Sequence, residues 1–309
     1  MQAIVINQYG GINQLHKTNL FKPNILPNEV LVQIYAFSIN PLDTQVRKGV
    51  AKNNFSYQWE FPAILGWDLS GIIVKAGSQV KQFKIGDAII AEIGGFRPSR
   101  KGSNAQFVAI NEKNIAPKPQ NLSFDQAAAV PMGSVTAWQA ITKKLRVKPH
   151  QRILIQGGAG GVGLFAIQIA KLLGAYIVTT ASPNHSRLLK KLGADKVIDY
   201  HKHSVDQIIK NFDGVFDTVG DITNGLSVLR KNGRLVSIVS SLKNDSRVIF
   251  FLTETGNNDL SQISSLFAKG KLHVVINHIF PFSEKGVRKA HKQIEGRHVA
   301  GKLVVHVKS

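Results

Sequence analysis

The chain has 309 residues, of which 43% are hydrophobic, and it carries 39 Lys and Arg residues against 19 Asp and Glu residues. This length and composition indicate a globular protein of about two domains and exclude a disordered or fibrous chain. The chain has no cysteine, which excludes disulfides, thiolate nucleophiles, iron–sulfur clusters and every zinc site that needs sulfur ligands.

Charge and hydropathy bear on partners and location. The formal net charge of +20 predicts a positive field that attracts phosphates and permits non-specific binding of nucleic acid. The basic residues are scattered rather than gathered in a tail, which favours a general role in solubility. No apolar run reaches the about 18 residues that cross a bilayer, and Met1–Asn7 alternates like a strand rather than a signal peptide. We therefore expect a cytoplasmic protein without membrane segments.

The first third of the chain is rich in short apolar runs separated by Gly, Pro, Asn and Asp. Such runs are typical of strands joined by turns, and together they indicate a compact, barrel-like β domain. The predicted strands are Ala3–Ile6, Val30–Ala36, Leu69–Val74, Ala88–Ala91 and Ala105–Ile110.

From about residue 123 onwards, strands alternate with helical patterns, which predicts a parallel sheet covered by helices. The predicted strands are Arg152–Gln156, Ala175–Thr180, Lys196–Ile198, Gly214–Val219 and Arg234–Val239. The predicted helices Leu164–Leu173 and Ser186–Leu192 are followed by Gly174 and Gly193, where a C-terminal cap belongs. The last part of the chain predicts a helix from about residue 261, a strand at His273–Ile276, a basic helix at Ser283–Ile294 and a strand at Lys302–Val307.

A glycine-rich turn follows the strand Arg152–Gln156. Gly158, Gly160 and Gly163 have the G-x-G-x-x-G spacing of dinucleotide-binding turns, with an apolar strand before them and a helix after them. Glycine lets the backbone approach a pyrophosphate, and the N–H groups at the start of the helix face the phosphates. The turn therefore predicts a dinucleotide site, and a structural turn without a ligand is the alternative.

The end of the next strand indicates which dinucleotide binds. An NAD site usually offers Asp or Glu to the ribose about 20 residues after the turn, whereas this chain has Thr179–Ser182 followed by His185 and Arg187. Hydroxyl groups and a guanidinium accept a 2′-phosphate, which a carboxylate repels. The sequence thus favours NADPH, with Arg187 as an ordinary surface residue as the alternative.

Several segments, taken in order, carry a resemblance to a known family: Ser38–Asp43, Leu65–Gly71, Val80–Asp87, Val130–Pro131, Thr136–Trp138, the glycine turn, Leu192–Asp195 and Ala300–Lys302. On these segments the whole chain resembles the zinc-independent quinone oxidoreductase and enone reductase branch of the medium-chain dehydrogenase/reductase family. The resemblance implies an α/β protein with a GroES-like, β-barrel-type catalytic domain (1–122 and 262–309), a Rossmann doubly wound parallel sheet that binds NADP (123–261) and an active site in the cleft.

The same resemblance argues against a metal. Zinc-dependent relatives carry His and Glu after the glycine equivalent to Gly66, where this chain has Trp67 and Asp68. Asp68 alone, or His201 with His203, rarely holds a metal without further ligands. We therefore expect no metal site.

Without a metal, the expected chemistry is hydride delivery from NADPH to an electrophilic carbon of a quinone or an α,β-unsaturated carbonyl. Asn40 matches the family position near the nicotinamide, and we expect it to orient the substrate or stabilise the enolate; capping the turn before Pro41 is the alternative. Tyr57 is a second candidate, as a donor to the carbonyl oxygen. Asp43 and Arg47 are spaced i and i+4 on a predicted helix and are expected to form a structural ion pair.

The resemblance also implies contacts with the cofactor, for which ordinary packing is the alternative at Tyr200 and Lys302. The implied cofactor-binding residues are Thr136, Gly157, Gly158, Gly160, Gly161, Val162, Gly163, Ser182, His185, Arg187, Tyr200, Val219, Ser240, Phe251 and Lys302. The apolar run Val248–Leu252 resembles the edge through which relatives form a homodimer, although a buried core would explain it equally well.

Two other functions remain open at this stage. One is an enoyl-thioester reductase of the same family, which would use the same cofactor. The other is a crystallin-like, nucleic-acid-binding protein without a major enzymatic role, which the charge of +20 would suit.

Overall fold

A computed structural model of the chain describes residues 1–50, 60–93, 102–240, 245–255, 258–296 and 299–308. The chain divides into two compact units. The first unit comprises Met1–Met132, Glu254–Ala268 and Ile276–Ser309, and the second comprises Gly133–Thr253 and Lys269–Val275. Within the described residues, no helix is long and apolar enough to span a bilayer.

The first unit is built from strands that are nearly all antiparallel. Its strands are β1 (Gln2–Ile6), β2 (His16–Asn19), β3 (Glu29–Ile39), β4 (Ala63–Ile64), β5 (Asp68–Ala76), β6 (Ala88–Glu92), β7 (Phe107–Asn111), β8 (Ile115–Pro117), β15 (Ile276–Pro281) and β16 (Lys302–His306). They form a three-stranded sheet, β2-β1-β4, and a seven-stranded sheet in the order β15-β16-β3-β5-β6-β8, in which β7 also pairs with β3. Only the β15 and β16 pair is parallel among these described strands.

The core of the first unit lies on the central strands of the larger sheet. Ile34 and Phe37 of β3, Leu69 of β5, Ile89 of β6 and Val305 of β16 belong to one buried apolar cluster. Each such side chain contributes about 1.5–3 kcal/mol when it leaves water. The sheet is thereby fixed around β3, which also carries the polar residues at its C-terminal end.

The second unit contains one parallel sheet. Its strands are β9 (Arg152–Gln156), β10 (Tyr176–Ala181), β11 (Lys196–Asp199), β12 (Phe212–Asp217), β13 (Leu229–Ser237) and β14 (Val248–Phe250). They lie in the order β11-β10-β9-β12-β13-β14, and every pair is parallel. This is the doubly wound dinucleotide-binding order, whose ligand site lies where the strand order reverses, here between β9 and β12. The predicted fold class is confirmed.

The described helices include those that the sequence predicts at Leu164–Leu173, Ser186–Leu192 and Ser283–Ile294. The described helices are α1 (Pro41–Arg47), α2 (Phe124–Ala128), α3 (Pro131–Trp138), α4 (Gly163–Leu172), α5 (Ser186–Lys191), α6 (Val205–Ile208), α7 (Ile222–Ser227), α8 (Asp259–Ala268) and α9 (Glu284–Glu295). Gly174 and Gly193, which follow α4 and α5, have φ angles of 79° and 113°. These left-handed conformations confirm the predicted glycine caps.

The unit boundaries differ from the expected residues 122/123 and 261/262. Helix α2 belongs to the first unit, because Phe124 stacks on Tyr35 at 4.2 Å between ring centroids and accepts a hydrogen bond from Ser70 Oγ at 2.6 Å. Helix α8 also belongs to it, since Asn121 Nδ2 donates to the carbonyl of Phe267 at 2.9 Å. The change in sequence texture near residue 123 therefore does not mark where the contacts change.

The predicted strand His273–Ile276 is wrong, because the strand in this region is β15, which begins at Ile276. The backbone of His273 is bound instead by the side chain of Gln168. Its N–H donates to Gln168 Oε1 at 2.7 Å, and its carbonyl accepts from Gln168 Nε2 at 3.1 Å. A side-chain amide thus replaces the strand partner that the apolar pattern suggested.

The predicted helix around Asp43 and Arg47 is present as α1, but the predicted ion pair is wrong. Asp43 Oδ2 accepts a hydrogen bond from the backbone N–H of Asn40 at 2.7 Å and so caps the helix. The fully buried guanidinium of Arg47 donates to the carbonyl of Gly10 and to Glu295. Partners far away in sequence, on the N-terminal segment and on α9, therefore decide where Arg47 points.

We predict that Arg47→Leu lowers the free energy of unfolding by about 3 kcal/mol, because it leaves a carbonyl and a carboxylate without their buried donor. Lys48→Leu is the matched control, since Lys48 is 45% exposed and pairs with the same Glu295 at 3.2 Å. A surface pair of this kind contributes below about 1 kcal/mol. Urea unfolding measures both, and equal losses would contradict the assignment.

Candidate functional site

The glycine turn leaves β9 and is tied to the neighbouring strand. Gly157 N–H donates to Thr180 Oγ1 at 3.0 Å, and Gly158 N–H donates to the carbonyl of Thr180 at 3.0 Å. Gly157 has a φ of 79°, a conformation that side chains rarely adopt. The end of β10 thus fixes the path of the turn before α4 begins at Gly163.

Three glycines of the turn are required by the protein itself. A Cβ on Gly157 would lie 2.5 Å from Thr218 Oγ1, one on Gly158 would lie 2.0 Å from Thr179 Oγ1, and one on Gly163 would lie 2.3 Å from the carbonyl of Gly157. Gly158 and Gly163 therefore allow the close packing of turn, strand and helix that this motif needs.

Gly160 is different from these three. A Cβ there would meet its nearest neighbour, the carbonyl oxygen of Gly157, at an ordinary 3.4 Å, and its φ is not positive. Neither space nor backbone conformation requires glycine at this position. A ligand that approaches the backbone does, and a pyrophosphate before the ten-residue helix α4 is such a ligand. The turn therefore fits a dinucleotide.

The predicted cofactor residues of the second unit gather at one edge of the parallel sheet, because parallel strands end on the same side. Gly157 follows β9, Ser182 follows β10, Tyr200 follows β11, Val219 follows β12 and Ser240 follows β13. The loop after β12 is shaped by Asp217 Oδ1, which accepts from the N–H groups of residues 219, 220 and 221 at 2.8–3.2 Å.

Side chains that could hold the adenosine end lie after β10 and β11. Ser182 Oγ is 3.1 Å from Tyr200 OH and 3.4 Å from His201 Nε2, and the Tyr200 and His201 rings lie 4.2 Å apart. Arg187 is exposed on α5, and His185 lies in the short helical turn before it. No carboxylate follows β10 in the positions 180–187, so this end is suited to a phosphate.

Two further predicted cofactor residues have protein partners. Thr136 Oγ1 is 2.7 Å from Thr253 Oγ1. Phe251 is buried, with Lys144 Nζ 5.6 Å from its ring centroid. Its neighbours Phe250 and Leu252 are the exposed members of this segment. Contact of Thr136 and Phe251 with the nicotinamide stays a prediction.

The first unit contains a buried polar cluster around Asp68. This carboxylate is fully buried and accepts four hydrogen bonds. Oδ2 accepts from Ser38 Oγ at 2.7 Å, from Asn40 Nδ2 at 3.0 Å and from Lys302 Nζ at 3.1 Å. Oδ1 accepts from the backbone N–H of Met132 at 2.7 Å. Lys302 Nζ also donates to Asn40 Oδ1.

Two more buried carboxyl groups flank this cluster. Glu92 lies directly opposite Asp68 in the pairing of β5 with β6, and burial together with the charge of Asp68 raises the pKa of Glu92 to about 8. Burial also raises the pKa of Asp43 to about 7. Both groups therefore hold protons beside Lys302 at pH values where surface carboxyls are ionised.

The structure thus brings Asn40 and Lys302 together within the first unit. The sequence assigned Lys302 to the cofactor, and that contact stays a prediction. Tyr57, the second proposed catalytic residue, lies outside the described residues. Sequence reasoning missed Ser38, Glu92 and His201 as site residues. Ser38 and Asp68 stand in the segments that carry the family resemblance, but their contact depends on strand register, which those segments do not reveal.

A glycine turn at the switch point of a doubly wound sheet is the arrangement that binds dinucleotides. Comparisons with known proteins give the family. The alcohol dehydrogenase GroES-like domain matches residues 26–120, and the zinc-binding dehydrogenase domain matches residues 192–305. The chain belongs to the medium-chain dehydrogenase/reductase family.

Relatives named for their activities are similar to nearly the whole chain. The chain is 33% identical to the chloroplastic NADPH-dependent alkenal/one oxidoreductase of Arabidopsis thaliana and 35% identical to the 2-methylene-furan-3-one reductase of Solanum lycopersicum, covering 99% of this chain and 79% of each relative. The quinone oxidoreductase of Coxiella burnetii superposes with a TM-score of 0.89 at 32% identity, covering 100% of this chain and 99% of the other. The Escherichia coli quinone oxidoreductase complexed with NADPH gives 0.85 at 26% identity, covering 99% and 100%.

The residues present do not fit the zinc for which the zinc-binding dehydrogenase domain is named. Among the described residues, no group of three or more His, Asp or Glu side chains could hold a metal ion, and the whole sequence lacks cysteine. Asp68, the one acidic residue where zinc-dependent relatives have ligands, is bound by four protein donors that include an ammonium. An ammonium in contact with the carboxylate opposes a cation at the same oxygen.

We predict that Glu92→Gln flattens the pH dependence of stability. Since the folded pKa of Glu92 is about 8 against 4.5 for the free group, the folded protein binds more protons than the unfolded chain across that window, and stability falls as pH rises through it. The isosteric amide cannot ionise. Denaturant unfolding from about pH 5 to about pH 8 should show a steeper loss in wild type than in the variant, and parallel curves would contradict it.

We also predict that Gly160→Ala weakens NADPH binding at least about tenfold while leaving the unfolding temperature unchanged, because the added methyl group has room in the protein but blocks the pyrophosphate. Gly158→Ala is the contrasting variant, and it should lower the unfolding temperature because its Cβ would clash with Thr179. Calorimetric titration and thermal unfolding measure the two effects. Wild-type affinity in Gly160→Ala would refute the ligand explanation.

Proposed function

We propose that the protein transfers a hydride from NADPH to quinones or α,β-unsaturated carbonyls, without zinc. The observation that carries this proposal is the Asp68 cluster. The groups that surround Asp68 include Asn40 Nδ2 and Lys302 Nζ, which are hydrogen-bond donors and not metal ligands. A site without a Lewis acid suits substrates that are already electrophilic at carbon, since an alcohol would need activation first.

The residues of this chain have separate tasks in the reaction. The glycine turn and the strand ends after β9 to β13 would hold NADPH, which when bound supplies the hydride. As the hydride adds to the β-carbon, the π electrons move onto the carbonyl oxygen. Asn40 Nδ2 donates a hydrogen bond to that developing negative charge, as oxyanion donors do. The resulting enolate or hydroquinone anion then takes up a proton from water.

Support for NADPH over NADH comes from the adenosine end. Ser182, His185, Arg187, Tyr200 and His201 provide hydroxyl, imidazole and guanidinium groups there. Such groups bind a 2′-phosphate, and no carboxylate among positions 180–187 repels it. The Arabidopsis relative is an NADPH-dependent alkenal/one oxidoreductase, and the E. coli quinone oxidoreductase structure is a complex with NADPH.

Assembly and location belong to the same proposal. Strand β14 lies at the edge of the parallel sheet, and its exposed Phe250, with the following Leu252, would be covered in a homodimer that joins two such edges. Non-specific nucleic-acid binding rests on the net charge of +20 and on the exposed lysines of α9. A cytoplasmic location stays a prediction, since relatives include chloroplastic and mitochondrial proteins.

The proposal predicts NADPH oxidation with 1,4-benzoquinone and with simple enones. The purified protein is assayed by the loss of NADPH absorbance against both classes, against a crotonyl thioester and against saturated ketones as controls. Activity on thioesters alone would favour the enoyl-thioester reductase instead. Nucleic-acid binding that persists at physiological salt, with no substrate that consumes NADPH, would favour the crystallin-like function.

A further inference from the structure

Strand register gathers the polar residues of the first unit into one place. Ser38 of β3 pairs with Asp68 of β5, and Asp68 pairs with Glu92 of β6. Directly opposed residues point to the same face of a sheet. On the other side of β3, the pairing of Leu303 with Ile39 brings Lys302 beside Asn40. The cluster is therefore built into the pairing of four strands.

The orientation of the Asn40 carboxamide follows from its neighbours. A lysine ammonium can only donate hydrogen bonds, and an ionised carboxylate can only accept them. Oδ1 of Asn40 must therefore face Lys302, and Nδ2 must face Asp68. A flipped amide would place N–H groups against the ammonium and an oxygen against the carboxylate, so that the chemistry of the partners decides the assignment.

This orientation limits what Asn40 can offer to a ligand. Its oxygen is engaged by Lys302, and one of the two N–H groups of Nδ2 is engaged by Asp68. The second N–H of Nδ2 remains as a donor, and the oxygen keeps one lone pair on the side of Lys302. The positive charge of Lys302 beside the amide oxygen also polarises the amide and strengthens its N–H groups as donors.

The ammonium is itself firmly held. Lys302 is 5% exposed, and a buried ammonium needs the compensation that Asp68 provides. Asp68 is held in turn by Ser38 and by the backbone N–H of Met132. Lys302 therefore cannot leave the cluster without removing the ammonium partner of a buried carboxylate.

We propose that Lys302 is a positioning residue for the reduction: by donating to Oδ1 of Asn40, it holds the carboxamide in the orientation that presents Nδ2 as a donor to the carbonyl oxygen of the substrate. The inference rests on the proposed function and assigns Lys302 a task other than cofactor contact. No bond to the protein forms or breaks, because Lys302 acts through one hydrogen bond to Asn40.

The experiment is a double-mutant cycle of Lys302→Met and Asn40→Ala. For each variant, kcat and KM are measured for an enone at saturating NADPH. The affinity for NADPH is measured by fluorescence titration without substrate, and the unfolding temperature is measured as well. Lys302→Met alone should lower kcat about 10- to 100-fold, because a small misplacement of a group that acts on the substrate can cost about 100-fold. NADPH affinity should stay within about twofold of wild type, and Lys302→Met should cost nothing more in the Asn40→Ala background.

Two further variants test the result of the cycle. Lys302→Arg keeps a donor for Oδ1 and should recover part of the lost kcat. Lys118→Met is the matched control, since Lys118 is also a partly buried lysine of the first unit that donates to backbone carbonyls, at Pro119 and Leu122. It should leave kcat unchanged. If Lys302→Met fails to fold, the same cycle is run with Lys302→Gln, which keeps a polar group beside Asp68; a smaller loss of kcat is then expected, again with no further loss in the Asn40→Ala background.

Several outcomes would overturn the inference. Wild-type kcat in Lys302→Met, or losses that multiply in the double variant, would show that Lys302 does not act through Asn40. Weaker NADPH binding with unchanged kcat would assign Lys302 to the cofactor instead. If none of the enones and quinones supported NADPH oxidation by the wild-type protein, the proposed function itself would be refuted. That result is separate from the outcome of the cycle.

Discussion

The first unit depends on the compensation of one buried carboxylate. Asp68 is inaccessible to solvent and accepts hydrogen bonds from the side chains of Ser38, Asn40 and Lys302 and from the backbone N–H of Met132. Removing any one partner would leave part of a buried charge without compensation, which is costly. The same bonds fix the side chain of Asn40, which is the donor in the proposed function.

The second unit follows a different rule, in which side chains are removed rather than paired. Three glycines of its turn make room for the protein's own strand and helix, whereas Gly160 leaves room that the protein does not use. In the proposed function, the turn would hold the pyrophosphate of the cofactor, and the amide of Asn40 would stabilise negative charge on the substrate oxygen. Neither the turn nor the amide requires a metal, which agrees with the hydrogen-bond donors that surround Asp68.

Local signals in the sequence predicted much of this. The glycine turn, the caps at Gly174 and Gly193 and the alternation of strands and helices depend on residues close together in the chain, and the structure agrees with them. Predictions failed where distant partners decide. Arg47 binds Glu295, 248 residues away, and the backbone of His273 is bound by Gln168, 105 residues away. Likewise, Asp68 was visible in a motif, but its role needed the strand register that places Ser38 and Glu92 beside it.

The most direct test of the central claim is a crystal structure of the protein with NADPH and an unreactive enone analogue. The account predicts that the analogue's carbonyl oxygen accepts a hydrogen bond from Asn40 Nδ2, while Lys302 Nζ remains on Asn40 Oδ1 and Asp68. A carbonyl oxygen bound by other groups, or Lys302 turned away from Asn40 towards the phosphates of the cofactor, would contradict it.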